Sequence, residues 1–126
     1  MTVRVRPESP VPIYEQIASQ IIFAVAGGDL VGGDLVPSVR DLAAQLVVNP
    51  NTVARAYQEL ERAGVIETRR GLGMAVATGA AKACLDRRKA IVRDRVKEAL
   101  REAASAGLEP ADVCKMVEDD WPKGKK

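Results

Sequence analysis

The chain has 126 residues, of which 47% are hydrophobic, 29% charged and only 3% aromatic, and its formal net charge is +2. That length holds one ordinary domain, or a small domain with an appendage, and excludes a large catalytic fold. Histidine is absent, which removes the commonest general base and the commonest transition-metal ligand, so metal-dependent or His-assisted catalysis is not expected; no motif calls for a metal or a cofactor.

Thr2 to Arg6 alternates valine with arginine, as a short edge strand or an arm would. Ser9, Pro10 and Pro12 then hold the chain extended before a helix that can start at Pro12, since proline is tolerated in a first turn. Ile13, Ile17, Ile21 and Val25 recur at helical spacing and predict one buried stripe that ends at Gly27-Gly28. Met1 to Pro12 lacks the apolar centre of a signal peptide, and no apolar run approaches the roughly 20 residues of a membrane span; a cytoplasmic protein without membrane contact is expected. Gly28 to Gly33 is glycine-rich, but no lysine follows and no strand precedes it, so it reads as a turn rather than a phosphate loop.

At Ser38 the spacing predicts a capping box with Asp41, followed by a helix whose apolar face is Val39, Leu42, Ala43 and Leu46. Val47 and Val48 lead to Asn49-Pro50, a favourable cap and first position for a second helix running to about Ala63, with Gly64 beyond it. Val53, Ala56, Tyr57 and Leu60 face inward there, while Asn51, Arg55, Gln58 and Arg62 form a polar ridge on the other side. Val65 to Thr68 and Met74 to Ala77 read as two strands joined through Arg69, Arg70, Gly71, Leu72 and Gly73, a hairpin with two arginines and two glycines at its tip.

From Ala80 to Ala106 there is neither proline nor glycine, and an apolar stripe runs through Cys84, Leu85, Ile91, Val92, Val96, Leu100 and Ala103. Asp94 with Lys97, and Glu98 with Arg101, can pair on its wet side. Gly107 ends this long helix, and Pro110 starts another that carries Val113, Val117 and Trp121 before a tail, 122–126, expected to be disordered. Cys84 and Cys114 are too few for a metal cage or disulfide scaffold, and no neighbour marks either as a reactive thiolate, so both read as buried or half-buried thiols rather than a redox switch.

The element order is that of a mainly α winged helix-turn-helix over residues 1–78, with a β-hairpin wing, followed by a helical region over 79–126. Double-stranded DNA requires a helix that fits the major groove, side chains that donate to base edges, and groups that hold phosphates. Asn51, Thr52 and Arg55 lie near the start of the second helix of the pair, the end that meets bases in helix-turn-helix docking. Arg40 is placed for a phosphate or a guanine. Arg69 and Arg70 can follow the backbone or enter the minor groove, with Gly71 and Gly73 allowing close approach. Residues 1–78 nevertheless carry 7 Lys and Arg against 8 Asp and Glu, so DNA affinity must depend on where the arginines sit and on pairing of two domains. Two helices cannot bury their own stripe, which makes Leu85, Ile91, Val92, Val96, Leu100, Val113, Val117 and Trp121 the candidate dimerisation residues. A homodimer implies a roughly palindromic operator. The rival from another class keeps the fold but docks protein instead of DNA. Catalysis has less support, because the carboxylates are scattered at spacings that suit caps and ion pairs.

Val36-Pro37-Ser38-Val39-Arg40-Asp41-Leu42-Ala43, then Val48-Asn49-Pro50-Asn51-Thr52-Val53, with Arg55-Ala56-Tyr57, Leu60-Glu61 and Gly64, resembles the DNA-binding domain of GntR-family bacterial regulators. Pro12-Ile13-Tyr14-Glu15-Gln16-Ile17 resembles that family's first helix, and Arg70-Gly71-Leu72-Gly73 its wing. The resemblance spans about Pro10 to Ala77. It implies DNA contacts at Arg40, Asn51, Thr52, Arg55 and Gly73, with Arg69 and Arg70 as additional wing candidates. The short helical C-terminus resembles the YtrA-type subfamily, which implies a dimeric repressor, possible control of a neighbouring ABC transporter operon, and no separate ligand domain; the sequence names no effector. Gly32, Val36 and Met74 depart from the family pattern of proline, leucine and an aromatic residue.

Overall fold

The computed structural model describes residues 2–123. Its elements are α1 (Ile13–Ala26), α2 (Val39–Leu46), α3 (Pro50–Arg62), β1 (Ile66–Arg69), β2 (Gly73–Val76), α4 (Ala80–Ser105) and α5 (Pro110–Asp120). The mainly α winged helix-turn-helix expected from the sequence is the fold observed. Two compact units are present, Met1–Lys89 and Ala90–Lys126. Their division falls inside α4, eleven residues after the boundary placed at Thr78 from the sequence. The tail's last residues, 124–126, lie outside the described residues.

In the first unit, α1 buries Ile17, Ile21, Ile22 and Val25 and ends at Gly27, with Gly28 at φ 86°. Thr2 to Arg6 forms no strand but an arm held on α1 by two glutamines. The Arg6 N–H donates to Gln16 Oε1 at 2.7 Å and the Arg6 carbonyl accepts from Gln16 Nε2 at 3.0 Å. Gln20 does the same for Arg4, accepting from its N–H at 2.9 Å and donating to its carbonyl. Each side-chain amide thus satisfies one donor and one acceptor that a neighbouring strand would otherwise supply.

Ser38 caps α2 by accepting from the Asp41 N–H at 3.0 Å. The return bond expected of a full capping box is not among the hydrogen bonds of the described residues. Leu42 and Ala43 are buried, and Val39 and Leu46 half-buried, so the apolar face is where the periodicity placed it. α2 ends at Val47, whose φ of 56° and ψ of 52° are left-handed, and this side chain is 89% exposed. A β-branched residue in that region is strained by about 1 to 3 kcal/mol, and the exposed valine buries little to offset it. Val47→Gly or Val47→Asn should therefore raise stability by about 1 kcal/mol. Urea titration of each variant checks this; an unchanged midpoint for both would show that the turn stores no strain.

Asn49 caps α3 by accepting from the Asn51 N–H at 2.8 Å, with Pro50 as the first helical residue. Val53, Ala56, Tyr57 and Leu60 are buried, and α3 packs against α1, α2 and β1. Tyr57 ties α3 to the segment that leads into α2, its hydroxyl donating to the Pro37 carbonyl at 2.6 Å. Burial pushes its pKa up to about 12. A phenol that resists ionisation only in the folded state stabilises fully below its ordinary pKa near 10 and loses that contribution as pH rises towards 12. Stability should fall progressively as the pH rises through that interval. Tyr57→Phe should lose about 1 kcal/mol at neutral pH and flatten the alkaline fall; denaturant titrations at several pH values separate the two effects.

β1 and β2 pair antiparallel, with Ile66 opposite Val76 and Arg69 opposite Gly73. Leu35 adds a bridge to Ala75, with the Val36 N–H donating to the Met74 carbonyl at 2.9 Å and the Val76 N–H to the Asp34 carbonyl at 2.8 Å. A third extended segment therefore flanks the hairpin, where the sequence suggested only a turn and a cap. Gly32 lies beside it, and a Cβ there would stand 3.2 Å from the Thr78 Cα, which favours glycine at this departure from the family pattern. Ala80 and Cys84, in the first turns of α4, complete this unit's core.

In the second unit, α4 continues to Ser105, Gly107 follows it at φ 85°, and α5 begins at Pro110. Asp112 accepts from the Glu109 N–H at 2.8 Å at the start of α5. Glu98 pairs with Arg101 at 2.7 Å as expected, whereas no Asp94–Lys97 pair is recorded among the described residues.

Candidate nucleic-acid interface

The residues proposed to touch DNA all lie in the first unit, on α2, α3 and the wing. Arg40 is the second residue of α2 and is exposed. On α3, the cap at Asn49 fixes the first turn, and Asn51 follows it with an exposed side chain; Thr52 is half-buried. Arg55, Gln58 and Arg62 continue the exposed ridge, and Arg62 pairs with Glu59 at 3.4 Å, both side chains being exposed. This ridge offers amide and guanidinium donors with the geometry of adenine and guanine edges.

Arg55 is not a free cation. Its Cζ lies 3.8 Å from the centroid of the Tyr14 ring, and its Nη2 donates to the Tyr14 hydroxyl at 3.2 Å. Periodicity has no signal for this pair, which joins residues 41 apart on different helices.

At the wing the two arginines separate. Arg69 ends β1 and closes the turn by accepting from the Leu72 N–H at 2.9 Å, while its half-buried side chain donates from Nε to Glu67 at 3.0 Å. Arg70 is exposed in the turn with Gly71 at φ 78°, and Gly73 has φ 110° with open space where a Cβ would stand. Those positive φ values are what glycine supplies at a tight tip.

The candidate dimerisation residues divide. Cys84 is fully buried in the first unit, whereas its neighbour Leu85 is exposed, so the stripe predicted along α4 belongs to two surfaces. Val92, Val96 and Leu100 are exposed on α4, Val117 on α5 and Trp121 at its C-cap, with Trp121 70% exposed; Ile91 and Val113 are half-buried. Leu85, Val92, Val96 and Leu100 recur at spacings of 7, 4 and 4, one side of a helix. Burial pushes the Cys84 thiol up while Arg87 pulls it down, and Cys114 is exposed. A buried thiol held protonated is a poor nucleophile, in keeping with a packing role for Cys84.

A helix pair joined by a tight turn, a donor-rich second helix and a β wing with an arginine at its tip define a winged helix-turn-helix DNA-binding domain, the class to which many transcription regulators belong. Residues 13–76 match the model of the bacterial regulatory proteins of the gntR family. The chain belongs to the GntR family of transcriptional regulators, in its YtrA-type branch. It is 36% identical to the HTH-type transcriptional repressor YtrA of Bacillus subtilis strain 168, over 98% of both chains. Among solved structures, a transcriptional antiterminator from Listeria monocytogenes EGD-e matches with a TM-score of 0.70 and 34% identity, covering 97% of this chain and 91% of that one. The AraR DNA-binding domain in complex with operator ORX1 matches at 0.52 and 25% identity, covering 58% of this chain and 90% of that one. The family and these relatives are transcription regulators rather than enzymes. No helix among the described residues is long and apolar enough to cross a membrane.

Proposed function

We propose that the protein is a homodimeric repressor that reads a roughly palindromic operator through α3. Residues 1–78 supply the DNA-binding part and 79–126 the dimerisation part, with the first turns of α4 shared. Arg40, Asn51, Thr52 and Arg55 contact the major groove and adjoining phosphates; Arg70, Gly73 and, less directly, Arg69 follow the backbone at the wing. The observation that carries the dimer is the exposed apolar row Leu85, Val92, Val96 and Leu100 on α4, with Val117 on α5 and Trp121 at its C-cap exposed as well. Exposed apolar rows of this length mark association surfaces. Repression is supported by full-length similarity to a protein named as a repressor. By the same resemblance the regulated genes include a neighbouring transporter operon.

The test is selection of bound sequences from random duplex DNA at a stated salt concentration. Enrichment of a two-fold symmetric site with half-sites about one DNA turn apart is expected. Recovery of no symmetric sequence would favour protein docking by the same fold.

A further inference from the structure

We propose that Tyr14 is a positioning residue for base recognition: it holds the Arg55 guanidinium in a fixed plane before DNA arrives. The proposal rests on Arg55 being a base-reading residue. Within the α3 ridge, Arg55 is seated over an aromatic ring, its Cζ 3.8 Å from the Tyr14 ring centroid.

The chemistry of the pair suits recognition. Stacking at 3.8 Å restrains the guanidinium plane without using any of its five N–H groups, and the single bond to the Tyr14 hydroxyl uses one. Two parallel donors therefore remain for the O6 and N7 acceptors of a guanine. The Tyr14 hydroxyl in turn donates to Glu15 Oε1 at 3.3 Å, which leaves an oxygen lone pair for Arg55. A chain of Arg55, Tyr14 and Glu15 thus orients the reader from α1, an element that itself has no assigned DNA contact. An arginine already ordered loses less freedom on binding, so its discrimination between bases is sharper.

The same contact could instead withhold Arg55 from DNA, and the two roles have opposite signs. With full-length protein and the duplex enriched by selection, Tyr14→Leu should weaken operator binding about 5-fold while changing random-duplex affinity less than about 2-fold. Tyr14→Phe, which keeps the ring, should recover most of that loss. In an Arg55→Ala background, Tyr14→Leu should have no further effect. The Arg55 Nε–Hε resonance of the free protein should move on Tyr14→Leu, with the melting transition of the variant recorded beside it. Tighter operator binding by Tyr14→Leu, or an equal loss with and without Arg55, overturns the positioning role. If Arg55→Ala leaves the ratio of operator to random binding unchanged, the base-reading role of Arg55 fails first and the proposal falls with it.

Discussion

Aspartate at Val96 and Leu100 should leave a folded monomer whose operator affinity is at least about 100-fold weaker. Both side chains are about half exposed in the single chain, at 50% and 46%, so the substitutions disturb little within it. In a dimer that covers this row, each introduced carboxylate would be buried without a partner, at roughly 3 to 5 kcal/mol. The half-sites would then be bound independently, and the advantage of linking two modest interactions would vanish. Sedimentation velocity and operator titration measure both parts; a double variant that still sediments as a dimer places the interface elsewhere. Truncation is a poorer test near Thr78, because Ala80 and Cys84 belong to the first unit's core. A cut after Lys89 respects that core.

Arg55→Ala should lower operator affinity by about 1 to 3 kcal/mol and relax the preferred base at one position of each half-site. Arg70→Ala should act differently, weakening operator and random duplex alike and reducing the salt slope by about 1 per bound arm. The contrast follows from placement: Arg55 stands on the exposed ridge of α3, and Arg70 in the hairpin turn between Arg69 and Gly71. Equal losses on both kinds of DNA for both variants would show that the two roles are wrongly assigned.

The helix-turn-helix was legible almost to the residue because its signals are local. Ser38 and Asn49-Pro50 mark the starts of α2 and α3, Gly64 the end of α3, and Val53, Ala56, Tyr57 and Leu60 lie on the buried face their spacing required. What the sequence did not disclose depends on groups distant in the chain. Tyr14 was visible only as part of a resemblance, since nothing about its spacing reveals an arginine 41 residues away. The segment around Leu35 is too short to show alternation, and its place is set by backbone bonds to β2. Arg69 closes the wing turn, but its pairing with Glu67, two residues back on the same face of β1, is a choice among neighbours that the sequence does not decide. Cys84 and Leu85 were assigned to one stripe because both are apolar, yet adjacent helical positions diverge by about 100° and face different surroundings.

The arm on α1 poses a problem of commensurate lengths. Two residues of extended chain advance about 6.6 Å, while four residues of helix rise about 6.0 Å. Arg6 and Arg4 are therefore nearly, but not fully, in step with Gln16 and Gln20, and the offset grows by about 0.6 Å with each rung. Flexible glutamine side chains absorb one such increment. The next rung would join Thr2 to position 24, where the chain has Ala24, which bears no amide to offer. Inserting one residue between Arg4 and Arg6 would leave the Arg6 rung in place and bring the backbone of a residue other than Arg4 opposite Gln20.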